Sequence, residues 1–186
     1  MGNYNKILEG NTVLESERLM LRPFSLKDTK DVFLYAQDEV VTKYLTWSTH
    51  NSVEETQKTI EEFYMKKGVF AIELKAKQMC IGCIELRINE KHDKASFGYV
   101  LNRNYWNKGY MTEALQLLLD LSFTKLELNR IESTHYVGNE ASGQVMKKCG
   151  MKYEGTGRQE VKIKGIYYDV VHYGILREEW IKGHLD

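Results

Sequence analysis

Asn104-Tyr105-Trp106-Asn107-Lys108-Gly109-Tyr110-Met111-Thr112-Glu113-Ala114-Leu115 decides how the rest of this chain is read. Before it, Lys94 to Leu101 has the period-two character of a strand. After it, Gly109 to Lys125 carries Leu115, Leu117, Leu118, Leu119 and Leu121, which lie nearly all round a helix and mark it as buried. The stretch therefore joins a strand end to the start of a buried helix. The first amides of a helix have no intrahelical carbonyl to bond, and the aligned peptide dipoles add partial positive charge there. An anion site follows, with Gly109 allowing close main-chain approach and Lys108 and Arg103 adding charge. Taken alone the same residues describe only a glycine turn, so the neighbouring sequence has to decide.

Working outward, Arg18-Leu19-Met20-Leu21-Arg22 reads as a strand ended by Pro23, the one proline, and residues before Glu17 as a loose lead-in. Ser25-Leu26-Lys27-Asp28 has capping-box spacing for a helix to about Gln37. Ser52-Val53-Glu54-Glu55 repeats the signal for a second helix with Ile60, Phe63 and Tyr64 on its apolar side. Val69 to Lys75, Met79 to Ile88 and Lys94 to Leu101 form an expected antiparallel meander. A strand from Asn129 to Tyr136 follows the leucine-rich helix, then a helix from Asn139 that stops at Gly150, two strands (Met151 to Lys164, Tyr167 to Leu176) and a helical turn after Arg177. This order predicts an α/β (α+β) fold: one mixed, mostly antiparallel sheet of about seven strands with helices on both faces. The unit from Lys94 to Tyr136 is expected to be a right-handed parallel crossover. No Gly/Ser-rich, acidic or repetitive segment marks a domain boundary.

Composition removes other classes. With 26 Lys+Arg against 26 Asp+Glu the chain lacks the basic excess that bulk nucleic acid or an anionic membrane requires. Its longest apolar run falls short of the roughly 18 residues of a membrane span, and the start, Met1-Gly2-Asn3-Tyr4-Asn5-Lys6, has no signal-peptide core. A cytoplasmic protein is expected. Three cysteines do not make a disulfide framework. Cys80-Ile81-Gly82-Cys83 has metal or redox spacing, but positions three apart on a strand diverge unless Gly82 hosts a bulge; buried structural thiols are expected, and no metal. Gly155-Thr156-Gly157 lacks the third glycine of a dinucleotide fingerprint, and there is no Walker loop or Gly-x-Ser-x-Gly elbow.

Lys94 to Leu115, together with Asn129-Arg130-Ile131-Glu132, Asn139-Glu140-Ala141-Ser142, Lys147-Lys148-Cys149-Gly150-Met151 and Tyr153-Glu154-Gly155-Thr156, resembles the GCN5-related N-acetyltransferases. More narrowly it resembles the RimJ/RimL-type ribosomal-protein N-terminal acetyltransferases, which Arg18-Leu19-Met20-Leu21-Arg22-Pro23, Tyr167-Tyr168-Asp169 and Tyr173 also fit. The resemblance covers about Leu14 to Trp180, implying a lead-in over 1–13, one acetyltransferase domain over 14–180 and a tail over 181–186. It implies acetyl-CoA as cosubstrate, held in a cleft where the parallel strands Lys94 to Leu101 and Asn129 to Tyr136 splay apart. The pyrophosphate falls to Asn107, Lys108, Gly109, Met111 and Thr112, and the pantetheine arm to the main chain of Tyr99, Val100 and Leu101. Asn139 and Ser142 face the pantetheine and thiol end. The family's Gln/Arg-x-x-Gly-x-Gly/Ala loop is kept fully only at Gly109, with Trp106 at the first position and Met111 at the last.

Acetyl transfer needs a neutral amine, a stabilised oxyanion and a proton for the departing thiolate. Where relatives carry a glutamate base this chain has Ser96, so Glu85 and Glu160 are the substitute candidates; each also reads as a solvated strand carboxylate. Met146 stands where many relatives carry a tyrosine acid, and the resemblance points to Ser142 as proton donor and to the amide around Val100 as oxyanion donor. A helix-start serine bonding its own backbone is the competing account. Trp47 is the acceptor-side candidate, by resemblance, and Glu54, Glu55, Glu61 and Glu62 make an acidic helix face. The expected activity is acetylation of a primary amine, first a protein N-terminal α-amine. A small amine such as a polyamine or aminoglycoside, and a non-catalytic acyl-CoA-binding module, are the alternatives. A homodimer is compatible with the sequence.

Overall fold

Strand β2 (Leu19–Arg22) ends where Pro23 has no amide to give the ladder. The computed structural model describes residues 3–10 and 13–183. A 3-10 turn, Leu26–Asp28, leads into α2 (Thr29–Ala36), and the Asp28 carboxylate accepts the Ser25 amide at 2.9 Å, the return bond of the expected capping box. Arg22 fixes the corner with bonds of 2.7 and 2.9 Å to Asp28 and 2.6 Å to Glu73. Ser52 caps α4 (Val53–Thr59) by accepting the Glu55 amide at 3.2 Å, while the Glu55 carboxylate reaches the Asn51 amide instead. Between them lies α3 (Glu39–Thr42), capped by Asp38 and too short to leave a helical period in the sequence.

The described residues before Glu17 are not a loose lead-in. They include α1 (Asn3–Gly10), with Leu8 buried, and β1 (Leu14–Glu15), paired with Met20 and Leu21. Among the described residues the extra strand makes the sheet eight-stranded rather than seven. The others are β3 (Val69–Leu74), β4 (Met79–Asn89), β5 (Lys94–Leu101), β6 (Arg130–Tyr136), β7 (Lys152–Ile163) and β8 (Ile166–Leu176), in the order β1-β2-β3-β4-β5-β6-β8-β7. Pairing is antiparallel for β1/β2, β2/β3, β3/β4, β6/β8 and β7/β8, and parallel for β5/β6. The mixed α/β sheet is thus as expected. Helix α5 (Tyr110–Asp120), extended by a wider turn over Leu121–Lys125, makes the crossover between the parallel strands. The parallel register runs from Lys94↔Arg130 to Ser96↔Glu132, and both strands continue past it. No described helix is long and apolar enough to cross a membrane.

The chain divides into two compact units, one comprising residues up to Glu85 with Gly98–Leu117, the other Leu86–Phe97 with Leu118 onward. The division cuts through strands, so no linker announces it in the sequence. In the first unit Phe24, Tyr35, Ile60, Cys80, Cys83 and Val100 share one apolar cluster. Opposite faces for the two cysteines is an expectation the register overturns. Ile72 faces Gly82 and Glu73 faces Cys80, leaving Ile81 as the extra residue of a bulge that returns both thiols to one side. Both are free and buried, and burial pushes both thiols well above their ordinary range, which makes them inert. Among the described residues no cluster of His, Cys, Asp and Glu could hold a metal ion.

The second unit seats α6 (Glu140–Lys148) on β6 through a glycine. A Cβ on Gly143 would lie 2.5 Å from Nε2 of His135, whose ring is stacked on Tyr173 at 5.8 Å. Gly143→Ala therefore overpacks a buried contact at a cost of about 1–3 kcal/mol. Thermal unfolding is expected to start earlier, with Tm lower by roughly 3–10 °C. A parent Tm would mean the ring moves aside freely. Helix α7 (Arg177–Lys182) closes the unit, with Trp180 against Phe123.

Candidate active site

In the first unit the end of β5 and the start of α5 are tied into one piece. Asn102 donates its amide to Ile81 at 2.8 Å and its side chain accepts from the Asn104 amide at 3.0 Å. The Trp106 indole donates to the Leu101 carbonyl at 2.7 Å, so the residue replacing the family's Gln or Arg braces the loop against the strand it leaves. Asn107 and Gly109 follow in the left-handed region, φ 58° and 79°, and α5 begins at Tyr110. The Glu113 amide bonds Gly109 O at 3.0 Å, so the Gly109, Tyr110 and Met111 amides precede the first turn's bonds. Asn107, Lys108 and Gly109 are exposed and Thr112 is half-buried; the Met111 side chain turns into the core, leaving only its backbone to the loop. Tyr99 is half-buried and Val100 and Leu101 are buried at the strand end.

The two expected cations are both engaged. Lys108 folds back onto the Asn104 carbonyl at 2.8 Å, and Arg103 pairs with Asp38 at 3.1 Å. The cation that organises the loop is Arg18. Its guanidinium donates to the Lys108 carbonyl at 3.0 Å, binds Glu113 at 2.7 Å and lies 4.5 Å over the Tyr110 ring. Glu113 also accepts from Ser16 Oγ at 2.6 Å and the Arg18 amide at 3.1 Å. Partial burial works to raise its carboxyl, but the Ser16 and Arg18 bonds prevail and hold it below the usual range. The acid in the first turn of α5 is thereby kept ionised and is neutralised by Arg18. Sequence reasoning missed this pair because the partners lie 95 residues apart. The one available signal was an Arg in the opening strand and an acid in the helix's first turn. Trp47, in the same unit, is half-buried against the apolar cluster, 5.1 Å from the His50 ring. Glu85 is half-buried on β4 opposite Val69, and Glu54, Glu55, Glu61 and Glu62 are exposed.

In the second unit a polar cavity of about 330 Å³ opens on the sheet where the parallel ladder ends. Arg87, Ser96, Arg130, Glu132, Glu154 and His172 line it. Its carboxylates are already claimed: Lys94 binds Glu132 at 2.7 Å, and Arg130 bonds both Glu132 and Glu154. For Glu132, burial pulls upward but Lys94 and Arg130 win, and for Glu154 the Arg130 bond dominates; both carboxyls sit below the ordinary range. Ser96, expected from the resemblance to stand where relatives carry a base, is bonded by Arg87 Nε at 3.3 Å. Glu160 lies on β7 and accepts from or shares a proton with Nε2 of His172 at 2.7 Å. Asn139 precedes α6 with its carbonyl receiving the Ser142 amide at 3.1 Å, and both residues are half-buried. The structure thus gathers Tyr99, Val100, Leu101 and residues 107–112 in one unit, and Asn139, Ser142 and Glu160 in the other.

The family described as "Acetyltransferase (GNAT) domain" matches residues 18–152. The chain is 33% identical over 173 residues to "Uncharacterized N-acetyltransferase p20" of Bacillus licheniformis, covering 90% of this chain and 97% of that one. It is 35% identical over 100 residues to "Putative ribosomal N-acetyltransferase YdaF" of Bacillus subtilis, covering 53% and 55%. Among solved structures it is similar to spermidine N-acetyltransferase from Vibrio cholerae in complex with CoA and spermine: TM-score 0.76, 25% identity, 89% of this chain and 99% of that chain.

Proposed function

The chain belongs to the GNAT acetyltransferase family and is an acetyl-CoA-dependent N-acetyltransferase, and from that premise we propose that its acceptor is a peptide N-terminal α-amine, acetylated by direct transfer. The observation that carries this acceptor is the second unit's cavity. Its two glutamates are matched by Arg130 and Lys94, so neither of them is left over for a polycation. Mixed donors and acceptors suit a peptide end, which brings one charge and several amides. The similarity to the YdaF protein, named as a ribosomal N-acetyltransferase, supports a protein acceptor. The complex of the Vibrio cholerae neighbour with spermine is what favours a polyamine as the second reading. Release of free CoA thiol, measured against N-terminal peptides, spermidine and aminoglycosides, tests both. Faster thiol release with spermidine than with any peptide would remove the peptide acceptor.

For the cosubstrate, the loop Asn107–Thr112 is assigned to the pyrophosphate and the main chain of Tyr99, Val100 and Leu101 to the pantetheine arm, with the Val100 amide facing the oxyanion. The Gly109, Tyr110 and Met111 amides, which precede the first bond of the 11-residue helix, support this assignment. Ser142 is assigned the proton that the departing thiolate takes. Since Arg18 braces the loop rather than lying on it, Arg18→Ala is expected to raise the acetyl-CoA KM roughly tenfold, the effect of losing about 1.4 kcal/mol of preorganisation. The acceptor KM is expected to stay within twofold. Steady-state kinetics with each substrate varied in turn checks it, and an unchanged acetyl-CoA KM would show that the loop holds its shape unaided.

A further inference from the structure

The geometry points to His172, oriented by Glu160, as the group that takes the proton from the attacking amine, an inference that rests on the transferase reading above. The family's base position holds Ser96, and Ser96 and His172 line the same cavity. The cavity's other proton acceptors are poor ones. Lys94 and Arg130 hold Glu132 ionised, Arg130 holds Glu154 ionised, and a carboxylate kept in that state by a cation is a weak base. A histidine is the side chain that exchanges a proton near neutrality.

The surroundings of His172 are built to aim it. Across the β6 ladder it faces Thr134, with Glu132 and Arg130 further along that strand; across the β7 ladder it faces Gly155, with Glu154 beside it. Arg87 of β4 lines the cavity too, and Tyr173, adjacent on β8, is buried under the His135 ring. Glu160 reaches back to the ring because β7 breaks register between Gly157 and Val161, with Gln159 in the left-handed region at φ 49°. A side chain at position 157 would occupy the place of the Glu160 carboxylate, so Gly157 is what leaves room for the pair. A solvated surface ion pair needs neither the bulge nor the glycine.

With Nε2–H donated to Glu160, Nδ1 carries the lone pair and is the basic atom. One proton of the ammonium passes to Nδ1 and later to solvent. The neutral amine then attacks the thioester carbonyl, the C–N bond forms, the C–S bond breaks, and the second N–H proton ends on sulfur. His172 is the catalytic residue in this scheme and Glu160 a positioning residue that acts through it.

The test uses the full chain and an acceptor found by thiol release. His172→Gln is expected to lower kcat about 100-fold, within the range for a general base, and to abolish the acidic limb of the kcat/KM profile, with the acetyl-CoA KM unchanged. Glu160→Gln and Gly157→Val are expected to lower kcat about tenfold with the acetyl-CoA KM unchanged, because the ring loses the carboxylate that orients it. Nitrogen NMR of the His172 ring supplies a readout without turnover: the parent is expected to hold the proton on Nε2, and Gly157→Val, which displaces the carboxylate, to mix the two tautomers. A parent-like pH profile in His172→Gln, or identical ring tautomers in parent and Gly157→Val, overturns the pair while leaving the transferase reading intact. Absence of thiol release from the parent with every amine overturns the transferase reading itself.

Discussion

A Gly109→Glu variant is expected to bind CoA at least 100-fold more weakly than the parent while remaining folded, a loss of about 2.7 kcal/mol or more. Three effects act together. At φ 79° any residue with a Cβ pays about 1–2 kcal/mol to hold the loop's shape. The new carboxylate stands at the positive end of α5, the place assigned to the pyrophosphate. A Cβ there also lies 3.4 Å from Nη2 of Arg18, close enough for the new acid to draw that guanidinium from Glu113. Gly109→Ala carries the strain without the charge, so it is expected to lose about tenfold, and the difference between the two isolates the electrostatic part. Calorimetric titration with CoA checks both. Parent affinity in a folded Gly109→Glu protein would remove the loop from the cofactor site.

Most of the fold was legible because it rests on local chemistry. Pro23 ended a strand, Ser25 and Ser52 opened helices, and Gly150, at φ 81°, stopped α6, each within a few residues of its cause. What escaped was short or long-range. Helix α3 and strand β1 are too brief to show a period, and the bulge at Ile81 depends on the register with β3, which no single strand encodes. The site divides the same way. The 107–112 loop was readable as a strand-to-helix junction, whereas Arg18–Glu113, Lys94–Glu132 and Arg130–Glu154 join residues that only folding brings together. Zero net charge hid them too: 26 charges of each sign do not show that the cavity's carboxylates are spent on its own cations.

Replacing Ser142 separates a catalyst from an acyl-CoA-binding module. Ser142→Ala is expected to lower kcat about 100-fold, within the range for losing a positioned proton donor, with the acetyl-CoA KM within twofold of the parent. The alanine keeps the amide that bonds Asn139 O, and the seat of α6 on His135 is made by Gly143, so the helix stays in place. A serine that only served its own helix start would give a different pattern: Tm lower by a few degrees and kcat unchanged. Ser142→Cys sharpens the comparison, since a thiol donates a proton less well through hydrogen bonding but occupies nearly the same space; it is expected to recover part of the rate. Because a departing thiolate is a far weaker base than a departing alkoxide and can leave with less help from a proton, the donor matters most where the tetrahedral adduct must choose between expelling amine and expelling sulfur. The loss is therefore expected to be larger with a weakly basic α-amine than with a strongly basic alkyl amine, whose adduct retains nitrogen more firmly. Stopped-flow thiol release with both acceptor types measures this directly, and equal losses for the two would place Ser142 outside the proton path.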